Sequence, residues 1–271
     1  MKNKYSLFIV LLMVLLLVSC GPKKLNVSYG NTCFNQNGEI VYVKRHFYKY
    51  DDITMIDDGV SYDLYRYLCK MDLYGNEEVI DIINSPTVIY NLSEGNNKIC
   101  IQTGKNEVYT YINGNLKKVL DGQIYEAMIS YDGEKIAYEI FENDTYSLCV
   151  SDINGQNISK YGFGTPVHWV PNNTEIVANN RGEYYLLDIT TSNTSPLPYA
   201  YKWSHDLQRI VYYDETDHLV LMNCDETGKV VTDWVDRDHE IVWSYDGEYL
   251  LSRMNLLDKN GNYIKTLRGG K

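Results

Sequence analysis

Residues Trp243–Leu251 read WSYDGEYLL, and the phrase recurs along the chain. WSHDLQRIV begins at Trp203, WVPNNTEIV at Trp169 and ISYDGEKIA at Ile129. In each copy an apolar residue is followed by a cluster of Asp, Asn or Gly and then by a second apolar run. Asp, Asn and Gly suit a tight turn, because its central residues often need positive φ. The phrase therefore encodes strand, turn, strand.

Aligned on the residue that opens the second strand, the copies stand at Ile40, Ile99, Ile136, Ile176, Ile210 and Leu250, with gaps of 59, 37, 40, 34 and 40 residues. Seven places before each lies another apolar residue: Cys33, Leu92, Ile129, Trp169, Trp203 and Trp243. Further strand-like runs such as YLCKMDL, YSLCVSD and HLVLMN follow, rich in Tyr, Leu and Val. Four units then turn at Asp-x-x-Gly, at Asp72/Gly75, Asp152/Gly155, Asp225/Gly228 and Asp258/Gly261. A fourth strand such as EEVIDI or YIKTL completes the unit. Four short strands in about 40 residues make one propeller blade.

The expected fold is all-β: a six-bladed β-propeller of four-stranded antiparallel blades over residues 25–271. A closed ring protects strand edges that an open row of hairpins would leave bare. The last blade is complete within its own segment, so no strand has to be donated to it. Leu25–Tyr29 is placed as the innermost strand of the first blade.

The N-terminus speaks to location. Lys2 and Lys4 precede the apolar run YSLFIVLLMVLLLV, which stops at Ser19-Cys20-Gly21, the layout of an export signal. A plain transmembrane anchor is the alternative, since about 17 apolar residues can span a bilayer. The sequence LVSC followed by Gly is similar to a bacterial lipobox, which implies cleavage before Cys20 and a diacylglyceryl group on its sulfur. Residues 1–19 are then a signal peptide and residues 20–24 a lipidated tether. The expected location is the extracytoplasmic side of a bacterial cell membrane, held through lipid on Cys20.

Cleavage leaves 252 of the 271 residues and removes two lysines, so the net charge moves from −11 to −13. That excess of acids argues against nucleic acid and against charge-driven docking on anionic lipid. Cys33, Cys69, Cys100, Cys149 and Cys224 lie in or beside strand-like runs and read as buried thiols.

WSYDGEYLL, ISYDGEKIAY and WSHDLQRIVYY together resemble the TolB-like propeller repeat, usually written Trp-Ser-Pro-Asp-Gly before an apolar strand. The likeness runs over about residues 25–271 and is weakest in the first two units. Tyr131, His205 and Tyr245 stand where the pattern has proline. The resemblance implies the propeller fold in a bacterial lipoprotein. It does not imply TolB itself, whose additional α/β domain finds no counterpart here.

Candidate contacts are fewer. Trp169, Trp203 and Trp243 share a column with Cys33, Leu92 and Ile129, which reads as packing between blades rather than a sugar platform. The excess in the first gap falls in KRHFYKYDDITMIDDGVSYD, Lys44 to Asp63. Long loops in compact domains are often binding elements. Arg45, His46, Tyr48 and Tyr50 on its first side, with Asp51, Asp52, Asp57 and Asp58 on its second, form the candidate binding loop. Its acids lack the spacing of a calcium frame, so no metal and no cofactor is expected. Of the histidines His46, His168, His205, His218 and His239, His168 and His239 lie where inner strands begin and form a candidate pair at the channel mouth. No G-x-S-x-G, H-E-x-x-H or phosphate-cradling loop occurs. The expectation is a binding or scaffolding module for a protein or cell-wall glycan. A carbohydrate-binding protein or glycan lyase acting at the channel mouth is the alternative.

Overall fold

The computed structural model of the chain describes residues 25–48, 62–83, 89–197, 202–214, 216, 218–225, 227–232, 241–252 and 254–267. Blade 1 is built from β1 (Leu25–Phe34), β2 (Ile40–Tyr48), β3 (Tyr62–Met71) and β4 (Glu77–Ile82). Blade 2 has β5 (Ile89–Gly95), β6 (Lys98–Thr103), β7 (Val108–Ile112) and β8 (Asn115–Leu120). Blade 3 has β9 (Ile124–Ile129), β10 (Lys135–Glu142), β11 (Thr145–Asp152) and β12 (Ser159–Lys160). Blade 4 has β13 (Thr165–Trp169), β14 (Glu175–Asn180), β15 (Glu183–Asp188) and β16 (Thr194–Pro196). Blade 5 has β17 (Lys202–Trp203), β18 (Arg209–Tyr213), β19 (Leu219–Asn223) and β20 (Val230–Thr232). Blade 6 has β21 (Ile241–Trp243), β22 (Tyr249–Ser252), β23 (Asn255–Asp258) and β24 (Tyr263–Thr266). Each blade is one four-stranded sheet of consecutive antiparallel strands. Among the described residues no helix is long and apolar enough to cross a membrane.

The first hairpins of blades 3 to 6 share one construction. Ile129 pairs with Ile136, Trp169 with Ile176, Trp203 with Ile210 and Trp243 with Leu250. The chain turns left-handed at Gly133, Asn173, Leu207 and Gly247, with φ of 70, 58, 58 and 70°. In three of the blades a buried serine locks the turn. Ser130, Ser204 and Ser244 donate from Oγ to Asp132, Asp206 and Asp246 over 2.6, 2.7 and 2.7 Å. They accept the N–H of Lys135, Arg209 and Tyr249 at 2.9, 2.9 and 2.8 Å. The Asp-x-x-Gly turns are built similarly: Asp152 Oδ1 accepts the N–H groups of Asn154 and Gln156 at 2.9 Å. Those donors, Gln156 foremost, hold its carboxyl below the usual carboxylate range.

Blades 1 and 2 depart from the sequence alignment. In blade 1 the turn is one residue shorter, so Ile40 faces Phe34 and not Cys33. Phe34 occupies the packing column, and Cys33 turns to blade 2. In blade 2 Leu92 pairs with Ile101, two places beyond Ile99. Its hairpin runs on to a two-residue turn at Asn96-Asn97, with φ of 50 and 60°. Turn length sets hairpin register, and these two turns differ from the other four.

A hydrophobic seam joins every adjacent pair of blades. Val41, Val43 and Leu68 meet Leu92 and Ile101 between blades 1 and 2, and Cys100 and Val108 meet Ile129 and Ile136 between blades 2 and 3. Ala137 and Val150 pack on Trp169, Val177 packs on Trp203, and Val211 and Leu221 pack on Trp243 in the next three seams. The last seam closes the ring: Phe34, Tyr42, Cys69 and Met71 of blade 1 pack against Leu251, Met254, Leu256 and Leu267 of blade 6. Since among the described residues no sheet mixes strands from the two ends of the chain, closure rests there on side-chain packing. The tryptophan column is therefore core. Cys33, Cys69, Cys100, Cys149 and Cys224 form no disulfide. Burial pushes the thiols of Cys69 and Cys100 up to about 12 and that of Cys149 to about 11.

Strands alternate in direction, so the ring has two unlike ends. One carries the tight β1–β2 and β3–β4 turns and their equivalents in every blade; we term it the turn end. The other carries the β2–β3 type hairpins and the connections between blades; it is the hairpin end. There β2–β3 and β10–β11 are the long arms, built from strands of nine, ten, eight and eight residues.

Candidate functional site

The serine-locked turns aim one residue each over the axis at the turn end. In blades 3, 5 and 6 that residue, between Ser and Asp, is Tyr131, His205 and Tyr245. Blades 3 and 6 are opposite in a six-membered ring, yet the rings of Tyr131 and Tyr245 meet edge to face with centroids 4.5 Å apart. His205 fills the third side, 5.1 Å from Tyr131 and 5.2 Å from Tyr245. Its Nε2–H donates to the carbonyl of Trp243 at 3.2 Å, which fixes the neutral tautomer. From blade 1, Gln36 donates through Nε2 to the Tyr131 carbonyl. Blade 4 adds His168, whose ring stands 6.2 Å from His205 and nearly perpendicular to it. The rings plug this end of the channel.

The plug is a neutral environment. Burial lowers His168 to about 3 and His205 to about 4, so both are uncharged at neutral pH. Lys202 in the neighbouring inner strand adds to the shift of His168. Tyr245 is raised to about 12, first by burial and then by Glu94. Glu94, from the extended blade 2 hairpin, is itself pushed upward by burial, against the amides of Asn97 and Gln36 that donate to it. Neutral imidazoles and a high phenol can exchange hydrogen bonds here but carry no charge with which to steer an ion. Among the described residues no three His, Cys, Asp or Glu side chains group as metal ligands.

At the hairpin end the described inner strands are irregular. Inner strands are bulged between Gly30 and Thr32, Ile89 and Asn91, and Pro166 and His168, and β9 is irregular opposite Ala137–Glu139. Bulges re-aim side chains and are frequent beside binding sites. Asn31 (φ 48°) donates from Nδ2 to the Tyr90 carbonyl at 2.8 Å. Tyr90 itself is 69% exposed. In blade 3, Glu126 adopts φ of 48° and helps burial to raise Glu139, which accepts from Thr165 Oγ1 at 2.9 Å. The β10–β11 arm carries a cluster of mutually tilted rings: Phe141 lies 4.7 Å from Tyr146, and Tyr125 lies 6.0 Å from it.

The candidate binding loop starts later than the spacing indicates. Lys44–Tyr48 belong to β2 and Tyr62–Asp63 to β3. Lys44 is tied to Glu77 at 2.6 Å, and the same carboxylate accepts from the Tyr42 hydroxyl. Strand alternation puts Arg45 on the face toward blade 2, opposite Arg66, and His46 on the face toward blade 6, edge-on to Tyr67 at 5.0 Å. Arg45 and His46 thus lie on opposite sides of one blade and do not form a single patch. Tyr50, Asp51, Asp52, Asp57 and Asp58 lie outside the described residues, as does the side chain of Tyr48. Cys20 and His239 lie outside them too. His168 is at the axis, where its ring meets those of His205 and Trp203. Sequence reasoning passed over Tyr131, His205 and Tyr245; their shared place in the repeat, where proline is usual, was the available signal.

No family model matches the chain, and no curated protein matches it by sequence. Solved structures do match. TolB from Acinetobacter baumannii is 11% identical with a TM-score of 0.58, over 92% of this chain and 80% of that one. An oligogalacturonate lyase in complex with manganese is 15% identical with a TM-score of 0.52, over 91% and 92%. The propeller domain of the trilobed protease of Pyrococcus furiosus, described as having an open velcro topology, is 14% identical with a TM-score of 0.52, over 92% and 85%. At these identities the likeness speaks for the fold alone: the chain has the six-bladed β-propeller fold that these structures share.

Proposed function

We propose that the chain is a lipid-anchored, extracytoplasmic binding module that holds a protein partner on its hairpin end. The observation that carries this reading is the placement of exposed aromatic rings. Tyr90, Tyr146 and Phe163, exposed by 69%, 45% and 57%, all belong to the hairpin end. They come from consecutive sectors of the ring, blades 2 to 4, whereas the exposed rings of the turn end, Tyr74 and Tyr263, stand at outer turns of blades 1 and 6. Exposed aromatic side chains beside polar backbone are what interface anchors are made of. The fold shared with TolB from Acinetobacter baumannii supports a protein-binding propeller. The lipobox-like LVSC sequence supports attachment through Cys20. The same acidic chain gives no reason to expect nucleic acid.

Photocrosslinking residues placed at Tyr90 and Tyr146 in living cells test the reading. The expectation is a defined protein adduct from both positions and none from Leu116, on the outer strand of blade 2. Equal adducts from Leu116, or none from either tyrosine, contradict a hairpin-end partner.

A further inference from the structure

On the rim of the same end, between blades 3 and 4, lies a groove that shares Phe163 with the hairpin-end surface. Its volume is about 630 Å3, within the roughly 300–1,000 Å3 usual for small-molecule sites. Its walls combine the rings of Tyr161, Phe163 and Tyr185 with the polar side chains of Asn180, Glu183 and Thr194.

The aromatic part is rigidly held. Tyr161 Oη donates to the Ile189 carbonyl at 3.0 Å, and Tyr185 Oη donates to the Phe163 carbonyl at 2.8 Å. On the other side of Phe163, the Gly162 carbonyl accepts the Leu148 N–H at 2.8 Å. Gly162 takes φ of 87°, and a Cβ on Gly164 would stand 2.1 Å from the Tyr185 hydroxyl. Glycines on both sides therefore let the backbone press against Tyr185 while the Phe163 ring stays 57% exposed. An apolar ring held in solvent by this many constraints is a preorganised contact, since little further ordering is needed when a ligand arrives.

From this arrangement we infer that the groove binds a neutral or amino-sugar oligosaccharide. A pyranose presents a face of C–H bonds that is attracted to the negative face of an aromatic ring. Its edge carries paired hydroxyls, which an amide and a carboxylate such as Asn180 and Glu183 engage as acceptors and donors. Among the described residues that line the groove there is no lysine, arginine or histidine. The carboxylate of Glu183 repels uronates and phosphosugars, so the charge of the wall selects against acidic glycans. The groove is on the rim, away from the axis and its histidines.

Titration calorimetry of the full chain in detergent, with chitotetraose, cellotetraose and tetragalacturonate as probes, tests the inference. The expectation is that a neutral tetramer binds, that tetragalacturonate binds at least tenfold more weakly, and that Phe163→Ala weakens the neutral ligand at least tenfold. Because Phe163 is exposed, that variant keeps the parent melting temperature, which confirms that it is folded. Glu183→Gln should narrow the gap between neutral and acidic ligands. No heat from either neutral tetramer, tightest binding of tetragalacturonate, or affinity unchanged in Phe163→Ala each overturns the inference. The crosslinks from Tyr90 and Tyr146 report separately on the protein partner.

Discussion

The ring of Tyr131 in blade 3 stands edge to face against that of Tyr245 in blade 6, 4.5 Å away and 86° inclined. These residues are neighbours only because six blades close around one axis. An aromatic pair of this geometry is worth about 0.5–1.5 kcal/mol beyond the area it buries. A double-mutant cycle with Tyr131→Leu and Tyr245→Leu is therefore expected to give a coupling of that size in urea unfolding. Additive single effects would mean the rings do not meet.

The histidines beside the plug make stability depend on pH. His168 and His205 fall from 6.5 to about 3 and about 4 through burial. In acid the unfolded chain binds protons that the folded chain refuses. Their contribution is thus complete above pH 6.5 and drains as pH falls through the folded values, by up to roughly 1.4 kcal/mol per pH unit for each histidine. Glu94, raised by burial, works in the opposite sense above its unfolded value. Between pH 7 and 4.5 the urea midpoint of the parent should fall more steeply than that of a His168→Gln, His205→Gln double variant. Parallel slopes would contradict buried neutral imidazoles.

Packing between blades 2 and 3 can be tested by a pair of glycines. A Cβ on Gly155 (φ 77°) would stand 2.1 Å from the carbonyl oxygen of Val119 in the neighbouring blade. One on Gly182 (φ 93°) would meet nothing within 4 Å. Gly182→Ala bears only the cost of the left-handed backbone, about 1–2 kcal/mol, whereas Gly155→Ala adds displacement of the next blade. Thermal melts should rank Gly155→Ala well below Gly182→Ala. The reverse order would mean that blades 2 and 3 do not pack as described.

Attachment has its own test. If Cys20 carries two acyl chains, Cys20→Ser should move the chain from the membrane fraction to the supernatant and abolish incorporation of labelled palmitate. One chain alone gives only marginal binding, so partial release of the parent chain would indicate incomplete acylation. Retention of Cys20→Ser on membranes without label would point to an uncleaved apolar anchor.

The blades were legible in the sequence because their turns are local: Asp, Asn and Gly recur at one offset, and that offset fixes the register of Trp169, Trp203 and Trp243. Where a turn changes length the reading slipped, taking Cys33 for Phe34 and Ile99 for Ile101. The plug was harder to see. Tyr131 and Tyr245 are far apart in the chain, and their contact exists only after the ring has closed. The candidate loop was located by an excess in spacing, which cannot say how much of the excess lengthens strands; Lys44–Tyr48 proved to be strand. Nor does spacing separate Arg45 from His46, which the pleat sends to opposite seams.

The closed six-membered ring is most directly tested by an NOE experiment on a deuterated chain in which tyrosine alone is protonated. Cross-peaks between the ring protons of Tyr131 and Tyr245 are predicted, and Tyr131→Phe should erase them, because the replacement ring is deuterated. A folded chain without those cross-peaks would contradict the ring and the plugged end that follows from it.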